Sequence, residues 1–187
     1  MVQIAMLTAI ILILAFTPLG YIRTGGLEIT LIVIPVAVGA VILGPVGGMI
    51  LGAVFGITSF IQCFGMDTFG TTLFGINPVY TAIMCFVPRI LMGLFCGLIY
   101  KAFGKKNYIK TGTALTSFCG GFINTVLFVG ALLLLFYNSD YIQSFGNSVI
   151  AVISVLITFN AVIEWIACTV IGSAVSIALN KALKKRF

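Results

Sequence analysis

Long apolar runs broken by short polar connections set the rhythm of this chain, and they predict six membrane-spanning helices. The first run extends from Val2 to about Tyr21 and ends near Pro18-Leu-Gly. A polar connection, Arg23-Thr-Gly-Gly-Leu-Glu28, follows. The second run, Ile29 to Leu43, is short for a span of about 20 residues, so it reads as tilted or partly buried in protein. Gly44-Pro45 is a turn signal, and the third run continues from Val46 to about Phe64, with Gln62 near its end. Gly65 to Pro78 is rich in Gly, Thr and Phe and reads as a loop with room for a short re-entrant piece. The fourth run is Val79 to Phe103, the fifth Thr111 to Tyr137, and the sixth Ser148 to about Leu183. Asn77-Pro78 is the start signal of the fourth helix, with Tyr80 in its first turn.

Composition agrees. Of 187 residues, 61% are hydrophobic and only 7% charged, too few charges to build a soluble surface or a disordered chain. The length suits one domain, 1–187, of an all-α integral membrane protein. Without histidine, His-based catalysis and His-ligated metal sites are excluded, and no metal or cofactor is expected. Cys63, Cys85, Cys96, Cys119 and Cys168 form no CxxC and mostly sit in apolar runs, so they read as buried reduced thiols. The first run lacks a basic leader and a cleavage pattern and is expected to stay as a helix.

The net charge of +6 bears on topology rather than on nucleic acid, for no aromatic-basic interleaving accompanies it. Six spans put both termini on one side, with Lys101, Lys105, Lys106, Lys110, Lys181, Lys184, Lys185 and Arg186. Eight of the ten basic residues then share a face that the positive-inside rule makes cytoplasmic. Arg23, Glu28, Asp67 and Asp140 lie opposite.

Two charges remain inside apolar runs, Arg89 and Glu164. A charge at the bilayer centre costs about 2.5–3.5 kcal/mol by insertion scales, so such residues face a bundle interior or a polar cavity. Asn160 lies one turn before Glu164, and Asn124 sits mid-way along the fifth helix. These groups share a level from mid-depth to the outer half. Either Arg89 and Glu164 pair as a packing bridge, or they line a pocket for a small ligand. A forked guanidinium suits a carboxylate, and asparagines suit hydroxyls and amides.

Small residues form stripes. Gly44, Gly48, Gly52 and Gly56 recur every four residues, and Gly93 and Gly97 make a second, shorter stripe. Both are expected to let backbones approach closely. No Gly-Lys-Ser/Thr follows, so this is no nucleotide loop. Ala5-x-x-x-Ala9 is a similar pair in the first helix.

Taken together, the chain resembles the substrate-binding S components of energy-coupling factor (ECF) vitamin transporters. The matching residues are Ala5-x-x-x-Ala9; Pro35 with Val36–Leu43 and Gly44-Pro45-x-Gly47-Gly48; Pro88-Arg89-Ile-Leu-x-Gly93; Asn124-Thr125-Val; and Asn160-Ala-Val-Ile-Glu164. The resemblance implies a six-helix cell-membrane protein that captures a vitamin from outside. It also implies docking through Ala5 and Ala9 onto a transmembrane T component driven by two cytoplasmic ATPases, and toppling in the membrane to release the vitamin. Arg89, Asn124, Asn160 and Glu164, with Asn77, Tyr80 and Gln62, become the expected substrate-binding residues. The 65–78 segment becomes a lid candidate, with Gly65, Gly70 and Gly75 to move it and Phe64, Phe69 and Phe74 to seal it.

The motifs look most like the pantothenate-type subgroup; riboflavin, pyridoxine and hydroxymethylpyrimidine are the alternatives. An enzyme would need paired acids, a Ser–Lys dyad or histidine at one depth. A small secondary transporter or channel would show repeats, broken helices or a continuous polar path.

Overall fold

A computed structural model of the chain describes residues 2–17, 20–24, 27–104, 109–143 and 159–182. The elements are α1 (Val2–Phe16), β1 (Tyr21–Thr24), β2 (Leu27–Thr30), α2 (Val33–Gln62), α3 (Thr68–Ile76), α4 (Pro78–Phe103), α5 (Ile109–Phe136), α6 (Asp140–Gln143), α7 (Phe159–Ala167) and α8 (Ser173–Ala182). A π turn, Cys168–Gly172, joins α7 to α8. Among the described residues, four stretches are long and apolar enough to cross a membrane: Val33–Gln62, Pro78–Phe103, Lys110–Phe136 and Ala161–Ala182. α1 is apolar but shorter. The expected start of the sixth span, 148–158, lies outside the described residues.

The stretch Val33–Gln62 holds the expected second and third spans. It breaks at Gly44 (φ 79°, ψ −171°), a left-handed conformation that glycine adopts cheaply, and Pro45 restarts the helix. The break reverses the chain. Leu51 lies against Gly39, and Ala40 against Gly48; in a straight helix residues twelve apart would be about 18 Å apart. The first arm, 33–43, rises only about 16 Å, and residues 33–42 are all buried. A helix wrapped in protein has no lipid thickness to match, which explains a run that is both short and apolar on every side.

Two expected boundaries move. The first run stops as a helix at Phe16, and the second starts at Val33. Between them lies an antiparallel hairpin, pairing Tyr21 with Thr30 and Thr24 with Leu27. Two β-rich tetrapeptides around Gly25-Gly26 carry that signal, which the apolar runs on either side obscured. The expected loop 65–78 is mostly the helix α3. The Asp67 carboxylate caps it by accepting from the Phe69 and Gly70 amides at 3.1 and 2.8 Å.

The glycine stripes meet each other. Cβ atoms added at Gly48 or Gly93 would overlap the other's carbonyl oxygen, one at Gly52 would overlap the Arg89 carbonyl, and one at Gly56 would lie 3.0 Å from the Cys85 carbonyl. The second arm of α2 and α4 therefore run antiparallel with their backbones in contact, a zipper that only glycine permits. It delivers Arg89 to a fixed height opposite Gly52.

The bundle has a basic end. Asn180 hydrogen-bonds the Tyr100 hydroxyl at 3.4 Å and Gly112 approaches Gly104 closely, which puts Lys101, Lys181 and Lys110 at the same end. The α2 reversal packs there on Gly97. Lys105, Lys106, Lys184, Lys185 and Arg186 lie outside the described residues. All five cysteines are free, and four are buried; Cys63 and Cys85 touch, sulfur to sulfur, at 3.9 Å.

Candidate functional site

Arg89 is held by the residue before it. Pro88 has no amide to donate, so the Met84 carbonyl loses its helical partner. The Arg89 guanidinium fills that gap, donating from Nη1 to the Met84 carbonyl at 2.7 Å. Pro88-Arg89 is thus one device: the proline frees an acceptor and the arginine is anchored by it. The guanidinium also lies over the rings of Phe128 on α5, at 4.6 Å, and Phe55 on α2, at 5.5 Å, faces that attract a cation. Arg89 is only 7% exposed, and its Nε has no protein partner among the described residues.

One turn along α5 from Phe128, Asn124 turns inward, 8% exposed. Its amide nitrogen donates to Glu164 Oε1 at 3.5 Å, while its Oδ1 has no partner among the described residues. Glu164, on α7, is 6% exposed and accepts at Oε2 from the Thr30 amide of β2 at 3.3 Å. The hairpin therefore reaches the site through its backbone. No ion pair within 4.0 Å joins Arg89 to Glu164, so the packing bridge is not formed. Four elements, β2, α4, α5 and α7, converge on a buried guanidinium, a buried carboxylate and a carboxamide with an open oxygen. Buried polar atoms are nearly always paired, and an unpaired one is expensive in a membrane interior. The arrangement can offer a ligand an anion-binding donor, a hydrogen-bond acceptor and a carboxylate for hydroxyl or amide hydrogens.

The other expected site residues separate into those near this group and those away from it. Asn160 lies in the first turn of α7, before Glu164; its side chain is outside the described residues. Gln62 is buried but donates to the Ala15 carbonyl at the end of α1, closing an orphan helix-end acceptor. The Asn77 side chain caps α4, accepting from the Val79 and Tyr80 amides at 3.1 and 3.2 Å. Tyr80 is 42% exposed and packs edge-on against Phe136. Among the described residues, no hydrogen bond joins Gln62, Asn77 or Tyr80 to the Arg89 group. In the lid candidate, Phe74 packs on Phe60 and Phe64, and Phe69 on Tyr141. Ala5 and Ala9 are exposed on the face of α1 turned away from its buried Leu7, Ile11 and Ala15.

Phe55, Phe128, the Met84 carbonyl and the Thr30 amide were not legible as site groups. Two of them carried a sequence signal: Phe128 lies four residues after Asn124, hidden among sixteen phenylalanines, and Pro88 orphans the Met84 carbonyl beside Arg89. No group of three or more Cys, Asp or Glu able to hold a metal occurs among the described residues.

Residues 1–176 match the family model described as "ECF transporter, substrate-specific component". The chain belongs to this family. It is an S component, a multi-pass membrane protein of a transporter. It is 30% identical over 162 residues, 82% of this chain and 78% of the relative, to a protein of Lactococcus lactis subsp. cremoris named pantothenic acid transporter PanT. It is 28% identical over 178 residues, 89% of this chain and 85% of the relative, to a protein of Leuconostoc mesenteroides subsp. mesenteroides named pantothenate transporter PanT.

Proposed function

We propose that this S component captures pantothenate from outside the cell. In this reading it hands the vitamin inward with a T component and two cytoplasmic ATPases. The observation that carries the reading is a buried Arg89 that, among the described residues, has no carboxylate on it and an unpartnered Nε. Pantothenate has one carboxylate, one amide and two hydroxyls. Arg89 takes the carboxylate, the Asn124 oxygen accepts a hydroxyl or amide hydrogen, and Glu164 and Asn160 take the remaining hydroxyls. The names of the two relatives point to the same vitamin.

The transport partners dock at Ala5 and Ala9, where small exposed side chains leave room for another helix. The basic end is the cytoplasmic one, by the positive-inside rule, and both termini lie there. Six spans follow when the two arms of α2 are counted separately.

Equilibrium binding of labelled pantothenate to the purified chain tests the reading. Saturable binding that excess riboflavin, pyridoxine or hydroxymethylpyrimidine leaves intact is the expected result. Displacement by one of those three, or no binding at all, sinks the pantothenate assignment.

A further inference from the structure

The last helix buries Glu164, Cys168, Gly172, Ser176 and Asn180, every fourth residue. In an uninterrupted α-helix a spacing of four drifts about 40° per step, so five such positions would wind through about 160° and could not all stay turned into the bundle. The π turn Cys168–Gly172 lies in the middle of this stripe, and its wider turn takes up the drift. The Thr169 hydroxyl donates to the Trp165 carbonyl at 2.6 Å, occupying an acceptor at the point where the helix widens.

Two of the contacts between this helix and α5 measure its register. Glu164 meets Asn124, and Gly172 sits on Ser117: a Cβ added at Gly172 would lie 2.8 Å from the Ser117 Oγ and 3.1 Å from its Cβ. Along α5 these contacts are separated by seven residues, two full turns. Along the last helix they are separated by eight. The π turn holds the odd residue. Trp165 lies between the two contacts, with its indole nitrogen on the Thr125 hydroxyl at 3.2 Å and its ring edge against Gly121.

We propose that the π turn, seated through Gly172 on Ser117, is what aims Glu164 at Asn124. Gly172 and Ser117 are then positioning residues for the ligand site two turns away, although neither reaches the ligand. The ligand half of this inference rests on the function proposed above; the geometric half does not.

Gly172→Ala tests both. Trp165 is the only tryptophan, so its emission reports this seam without labelling. The expected result is a shifted Trp165 emission maximum and a loss of pantothenate affinity of roughly tenfold or more, as for one misplaced charged hydrogen bond. Ser117→Gly combined with Gly172→Ala removes the clash and should restore both, which a general loss of packing would not allow. Unchanged Trp165 emission in Gly172→Ala, or no recovery in the double variant, overturns the proposal. If wild-type protein fails to bind pantothenate, the function reading falls, and the emission arm alone still decides this one. If Gly172→Ala does not accumulate, Ser117→Val crowds the same contact from α5. It must then shift the emission, and a wild-type spectrum refutes the positioning role.

Discussion

Gly52→Ala places a methyl group where the zipper between α2 and α4 has no room, directly on the Arg89 carbonyl. Restoring ordinary van der Waals separation, about 3.5 Å or more, requires the two backbones to part at the height of Arg89. Overpacking of this kind costs about 1–3 kcal/mol, and the better helix propensity of alanine returns about 1 kcal/mol. The net loss of stability is therefore about 0–2 kcal/mol, small enough to leave a folded protein. Binding suffers more, because α4 carries the guanidinium. Weakening one charge-assisted hydrogen bond loses about 1.5–3 kcal/mol, roughly a 10- to 150-fold fall in affinity. Gly56→Ala, whose Cβ would lie 3.0 Å from the Cys85 carbonyl, should have a smaller effect. Gly75→Ala, with nothing within 4 Å, should have none. Thermal unfolding in detergent and pantothenate titration of the three variants give the series. Wild-type affinity in Gly52→Ala, or an equal loss in Gly75→Ala, refutes the reasoning.

Other variants probe separate parts. Glu164→Ala strips the acceptor from the Thr30 and Asn124 amides and should lower stability by about 1–3 kcal/mol; Glu164→Gln, which keeps one oxygen acceptor, should lose less in the same unfolding assay. Ala5→Trp should abolish uptake in cells while the purified variant still binds pantothenate, and normal uptake would rule out docking through that face. A cysteine at Lys101, in a background without the five native cysteines, should react with an impermeant maleimide only after the cells are opened; labelling of intact cells would invert the topology.

How much of this was legible in the sequence depends on the kind of signal. Arg89 and Glu164 stood out because a charge in an apolar run needs a reason. The glycine zipper was legible because a spacing of four is the signature of close helix contact, although its partner was not: nothing local says that Gly52 meets Arg89. The anchoring of Arg89 by Pro88 could have been read from the adjacent pair, since a proline always orphans the carbonyl four residues back. Asp67 is an ordinary cap residue, and reading it as such would have found α3. Asn77 and Gln62 were expected as ligand groups because polar residues near a membrane invite that reading; in the structure each also bonds a helix end. The π turn Cys168–Gly172 was not read from the sequence.

Pairing of Arg89 with the ligand carboxylate can be measured directly. Pantothenate and pantothenol, which carries a hydroxymethyl group in place of the carboxylate, are titrated against wild-type protein and Arg89→Ala. A buried, hydrogen-bonded charge pair broken on one side loses about 2–5 kcal/mol. Wild-type protein should therefore prefer pantothenate by roughly 30-fold or more, and Arg89→Ala should bind the two ligands alike. Equal affinities in wild-type protein, or an undiminished preference in the variant, would contradict the account.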